Sequence, residues 1–185
     1  MPHAAFETHR LLLRPLTEAD AQLLWQLDTD PEVMRHISHG ATTPMTMIQE
    51  EILPRWLEVG RVYPGLGYWA AHEKERGEFV GWFHLKPYLN RLDELELGYR
   101  LHQRFWKRGY ASEGSRALVE RGFERPDTER IVATTLEVNL ASRRVLQRVG
   151  PRPTEKFLYG EGLLPGWTPE ERRAVRYELD RARYE

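Results

Sequence analysis

The sequence predicts an α+β fold in three layers: a mixed, largely antiparallel sheet of six to seven strands with helices on its faces. Three observations predict it. The middle of the chain holds three β-like runs joined by short turns, which makes them antiparallel neighbours. A strand, a helix and a strand then follow between Leu92 and Leu136, a connection long enough for a parallel pair. Stretches with apolar residues at helical spacing fill the first third of the chain and recur after Gly109 and Asn139.

In order, Arg10–Leu16 is a short β-like run stopped by Pro15. Thr17 caps a helix carrying Ala21, Leu24, Trp25 and Leu27. Asp30-Pro31-Glu32 opens a second, with Pro at its first position, and His39-Gly40 closes it. A third starts at Thr43-Pro44 and runs through Ile48, Ile52, Trp56 and Val59 to a stop at Gly60, with Pro54 expected to kink or divide it. Tyr68–His72, Phe79–Leu85 and Leu92–Leu101 are the three middle strands. In the last, Leu95, Leu97, Tyr99 and Leu101 share one face, and Glu94, Glu96, Gly98 and Arg100 the other. A helix runs from about Gly109 to Phe123. The β-branched run Arg130–Leu136 reads as a buried strand. Asn139 caps a helix that ends at Gly150-Pro151. Glu155–Tyr159 and Ala174–Leu179 are late strands around a Gly- and Pro-rich loop, Gly160–Pro169. No repeat or linker divides residues 1–185, so one domain is expected.

Lys and Arg number 27 against 28 Asp and Glu, which argues against electrostatic binding of nucleic acid. The absence of cysteine excludes thiol catalysis, thiolate metal sites and disulfides. No apolar run approaches a membrane span, and Met1–Glu7 lacks the basic and apolar regions of a leader, so a cytoplasmic location is expected. His36 and His39 form the one close histidine pair, without a third ligand, so no metal is expected.

The stretch His102–Ala111 joins the third middle strand to the helix after it. Free backbone N–H groups at a helix start, beside cationic side chains, form an anion site, most often for phosphate. On shape alone the stretch reads equally as an ordinary turn with a solvated Lys107-Arg108 pair.

Further motifs accompany it in a fixed order. They are Glu7–Asp20, Asp30–Met34, Leu97–Leu101, Trp106–Gly114 and Val138–Leu146, followed by Gly150. Together they make the chain resemble the GNAT superfamily of acyl-CoA N-acyltransferases, nearest its Rim-type branch of ribosomal-protein and small-amine acetyltransferases. The family's Gln/Arg-x-x-Gly-x-Gly/Ala signature falls on Trp106–Ala111, where Gly109 and Ala111 match and Trp106 departs. The resemblance implies acetyl-CoA as donor and an amine as acceptor. It implies coenzyme contacts from Arg104, Lys107, Arg108, Gly109, Tyr110, Ala111 and Ser112, and pairing of the pantetheine arm with backbone groups of Tyr99 and Leu101. Asn139 and Ser142 would approach the thiol end, with Arg144 a further contact or a solvated cation.

Acetyl transfer to an amine needs a base, donors for the developing oxyanion and an acid for the thiolate. Glu96 is the candidate base, two residues before Gly98 and opposite the leucines; Glu94 is the runner-up, and His84 could assist. The family's usual acid is a Tyr at the position of Leu146, which leaves Ser142 as the candidate, with Tyr159 and Tyr177 as other hydroxyls. Without cysteine, direct transfer in a ternary complex is favoured. The acceptor is a protein N-terminus or a small amine, and the aromatic residues Trp25, Trp56, Tyr63, Trp69, Trp82 and Trp167 either line its cleft or anchor the core. A coenzyme-binding module without turnover is the rival reading, and the chain is expected to be a monomer or homodimer.

Overall fold

Leu-, Trp- and Tyr-rich segments assemble into one eight-stranded sheet in the computed structural model, which describes residues 4–184. The strands are β1 (Phe6–Glu7), β2 (Leu11–Pro15), β3 (Gly67–Glu73), β4 (Phe79–Tyr88), β5 (Arg91–Leu101), β6 (Arg130–Leu136), β7 (Arg152–Leu158) and β8 (Arg173–Asp180). Their order is β1-β2-β3-β4-β5-β6-β8-β7. Among the described residues only the β5–β6 pair is parallel; the other pairs are antiparallel. The mixed sheet is therefore as expected, with one more strand. That strand is β1, whose two residues are too short to show a period-two pattern. Part of the stretch read for leader character, residues 1–3, lies outside the described residues.

The helices cover both faces. On one side lie α1 (Ala21–Asp28), α2 (Pro31–Ser38), α3 (Met45–Met47) and α4 (Leu53–Val62). Their apolar residues Leu24, Leu27, Val33 and Leu53, with Ile48 between α3 and α4, pack on Tyr68, Ala70 and Trp82 of the sheet. On the other side, α5 (Tyr110–Glu124) and α6 (Leu140–Val149) cover Phe83, Leu85, Leu95, Leu97 and Ile131. Alternation along each strand divides the two cores, because successive side chains point to opposite faces.

One local expectation holds and one changes. Pro54 divides the third helical segment: a π-helical stretch, Ile48–Ile52, runs up to it, and α4 begins at Leu53 with Pro54 in its first turn. Gly60 is not a stop but a buried residue inside α4, which runs on to Val62. Among the described residues, no helix is long and apolar enough to cross a membrane.

Candidate active site

The parallel pair β5–β6 is short. It is registered only from Glu94 opposite Arg130 to Glu96 opposite Val132. Beyond Glu96, β5 stays with β4 as far as Leu101, while β6 stays with β8 as far as Leu136. The sheet therefore splits into a wedge, and a cleft of about 460 Å³ occupies it. Gly98, Tyr99 and Leu101 form one wall, Ala133–Leu136 the other, and Asn139, Ser142 and Val145 of α6 close the far side. Val33, His36 and Ile37 of α2 form a roof. A strand edge that loses its neighbour exposes backbone groups that need partners, so an extended amide-containing chain can pair there.

The loop before α5 reaches the same cleft. Lys107 (φ 60°) and Gly109 (φ 87°) are both left-handed, and glycine takes that conformation at the helix cap without strain. The first helical bond runs from the Glu113 N–H to the Gly109 carbonyl, so the N–H groups of Tyr110, Ala111 and Ser112 precede the helical ladder. Lys107, Gly109, Ala111 and Ser112 line the cleft. Trp106, the departure from the family signature, ties the loop to β5: its Nε1–H donates to the Leu101 carbonyl at 2.9 Å. A clamp that the sequence did not suggest holds the helix start. Glu113 accepts from Thr8 Oγ1 (2.6 Å), Arg10 N (2.7 Å) and Arg10 Nε (2.7 Å), while an Arg10 Nη1–H donates to the Arg108 carbonyl (3.0 Å).

A polar cluster stands at the last β5–β6 pair, although His84, Lys86 and Glu96 do not themselves line the cleft. Lys86 faces Glu96 across the β4–β5 ladder, and the two form a half-buried ion pair. Burial pushes the Glu96 carboxyl up, but His84 and Lys86 outweigh it, so it titrates below its ordinary range. His84 sits further along the ladder, opposite Gly98. Its ring takes the space of the missing side chain: a Cβ at Gly98 would lie 2.4 Å from His84 Cε1. Neither ring nitrogen has a hydrogen-bond partner among the described residues. Burial lowers the His84 pKa to about 4, so the imidazole is neutral at neutral pH and Lys86 carries the stabilisation of the Glu96 carboxylate there. On the other side of β5, the Tyr99 hydroxyl donates to Ser142 Oγ at 3.4 Å. Burial pushes the Tyr99 phenol up to about 12, which keeps it a donor. Asn139 caps α6 as expected, its Oδ1 accepting from the Ser142 N–H at 3.1 Å.

The buried neutral His84 makes stability depend on pH. A pKa lowered from 6.5 to about 4 on folding leaves its contribution intact above 6.5 and loses it as pH falls from there towards 4. Between pH 7 and 5 the loss is about 2 kcal/mol. Urea unfolding at the two pH values should show this drop in the wild type and lack it in His84→Met; equal drops would place the sensitivity in another group.

Among known proteins, the family model described as an acetyltransferase (GNAT) domain matches residues 10–152. The chain belongs to the GNAT acetyltransferase family. It is thus an acyl-CoA N-acyltransferase. The protein named FsC-acetyl coenzyme A-N(2)-transacetylase, from Aspergillus fumigatus, is 34% identical over 94% of this chain and 75% of its own length. Two solved structures share the fold. An acetyltransferase from Agrobacterium tumefaciens str. C58 has a TM-score of 0.74 at 24% identity, covering 98% of this chain and 96% of its own. AAC(6')-Ib in complex with ribostamycin and coenzyme A has a TM-score of 0.76 at 19% identity, covering 95% of this chain and 96% of its own.

In this GNAT acetyltransferase the side chains expected at the donor site divide. Those of Arg104, Arg108, Tyr110 and Arg144 do not line the cleft. Arg104 points to Glu78 at 3.7 Å, and Arg144 lies exposed on α6. The Tyr110 ring is buried in the core, and its hydroxyl donates to Glu73. Any contact from Tyr110 is left to its backbone N–H. The cleft gains Arg148, one helical turn beyond Arg144, which the motif gave no reason to choose. Glu94 is occupied by Arg130 (3.1 Å) and Arg176 (2.9 Å), which removes it from contention as a free base. Leu146 is buried in the core of α6, and Tyr177 accepts from Arg143 Nε at 3.1 Å. Tyr159 lines the cleft and donates to Thr134 Oγ1 at 2.8 Å. Trp69 and Trp82 are core anchors, while Trp56 stacks on Tyr68. Trp167 stacks on His39 at 3.6 Å between ring centres, pinning the β7–β8 loop to the end of α2. No group of three or more His, Asp and Glu among the described residues could hold a metal ion.

Proposed function

We propose that this chain transfers an acetyl group from acetyl-CoA directly to a primary amine in a ternary complex. The observation that carries the reading is the ionised Glu96 at the point where β5 and β6 part, with a hydroxyl pair, Tyr99–Ser142, across the strand. The thioester supplies an activated acyl group. Glu96 takes the proton from the incoming ammonium, directly or through water, and so frees its lone pair. Backbone N–H groups on the unpaired edge of β5 stabilise the developing oxyanion. Ser142, polarised by the Tyr99 hydroxyl, passes to the leaving thiolate the second proton that the attacking nitrogen loses as the amide forms. Gly109, Ala111 and Ser112 offer backbone donors to the pyrophosphate, and Lys107 supplies charge. The name of the 34% identical relative, an N(2)-transacetylase, favours a small-molecule amine over a protein N-terminus.

Calorimetry with acetyl-CoA tests the donor half. The wild type should bind, and Lys107→Ala should weaken binding about tenfold, the value of one charge-assisted contact. Absence of binding by the wild type removes the reading. Coenzyme release against a panel of primary amines tests the transfer.

A further inference from the structure

A second hollow, of about 350 Å³, lies on the side of the sheet covered by α1–α4. Arg55 and Trp56 of α4, Tyr68 of β3, and Lys86 and Asn90 of the β4–β5 hairpin line it. It adjoins the reaction centre, because the Lys86 on its wall is the residue that pairs with Glu96. We propose that this hollow receives an acidic group of the acceptor, so that the preferred substrates are primary amines that also carry a carboxylate. The proposal rests on the amine-acetylation reading above.

Charge is the first argument. No Asp or Glu among the described residues lines the hollow. Lys86 is neutralised by Glu96, and Glu58, on the same helix as Arg55, is engaged by Arg61. Arg55 makes no ion pair or hydrogen bond among the described residues, so its guanidinium leaves the hollow with an uncompensated positive charge. A guanidinium fork matches a planar carboxylate with two parallel hydrogen bonds. A dianionic phosphate would call for more than this one unpaired cation. A polyamine would bring a second cation against Arg55 and is disfavoured.

Shape is the second argument. The Trp56 and Tyr68 rings stack face to face at 4.3 Å and 5°, and this stack forms an apolar wall of the hollow. An acceptor skeleton can lie on such a wall with its amine towards Glu96 and its acid towards Arg55. Tyr68 packs in turn against Trp82 and His84, so the wall is held by the core. Arg55 is exposed, and its replacement leaves that wall intact.

The test compares para-aminomethylbenzoate with para-aminomethylbenzamide, which differ only in the acid, by coenzyme release. The wild type should favour the acid about tenfold in kcat/KM, equivalent to one charge-assisted contact. Arg55→Ala should raise KM for the acid and bring the ratio towards one, Arg55→Lys should restore part of it, and Arg55→Glu should favour the amide. Equal rates with the two probes, an unchanged ratio in Arg55→Ala, or failure of both probes while other primary amines are acetylated would each overturn the proposal. Failure of every amine in the panel would instead remove the reading of the reaction on which it stands.

Discussion

Replacing Glu96 by Gln should lower kcat for acetyl transfer by roughly a hundredfold at neutral pH, the low end of what a positioned general base supplies. The amide keeps the shape of the side chain and can still hydrogen-bond Lys86, but it cannot take a proton. The sign of the pH dependence follows from the same surroundings. Glu96 titrates below its ordinary range because His84 and Lys86 together outweigh burial, and Lys86 is the one that is charged at neutral pH. The acid limb of kcat/KM should therefore lie below the usual carboxylate range. Lys86→Met removes the cation and leaves the burial, so the limb should move to higher pH. A Glu96→Gln enzyme as fast as the wild type would remove the base assignment. A limb that stays in place without Lys86 would belong to another group.

Asp28→Ala should cost about 3–5 kcal/mol of folding free energy, the usual result of stranding one partner of a buried ion pair. Asp28 sits at the end of α1 and bonds the Arg100 guanidinium of β5, with side chains only 7% and 16% exposed. Its other oxygen accepts from Thr43 Oγ1 at 2.9 Å, and Arg100 lies 5.2 Å above the Trp82 ring. One carboxylate thus joins the helical layer to the strand that forms the cleft wall. Removing it leaves a guanidinium under the helices with no counter-charge. The paired replacement Asp28→Leu with Arg100→Met should recover much of the loss, because neither charge is then buried alone. Urea unfolding measures both; a cost near that of an exposed pair, about 0.5 kcal/mol, would mean that water reaches the site.

These two sites differ in what the sequence carries. Glu96 is legible because strand alternation alone puts it opposite the leucines, and that geometry is local. Arg100 shares that face, but its partner lies 72 residues away and nothing in the sequence pairs them. The same holds for the clamp between Arg10 and Glu113, which spans 103 residues. The motif points to Tyr99 for its backbone; its hydroxyl matters because α6 delivers Ser142 beside it. Pro54 divides its helix as the local rule says, but the π-helical form of the turn before it is not legible in the sequence.

The sequence by itself determined the order and type of the elements from β2 onward apart from the π-helical stretch, the capped starts of α2 and α6, and the family motifs. Each of these is set by a few adjacent residues through backbone sterics, capping and period. The tertiary structure alone decided where β5 and β6 separate, that Lys107 and Arg148 face the cleft while Arg104 and Arg144 do not, and that Glu96 meets Lys86 beside a buried His84. Those outcomes depend on register and packing between distant segments, where one residue of shift or one turn of helix sends a side chain to the opposite face.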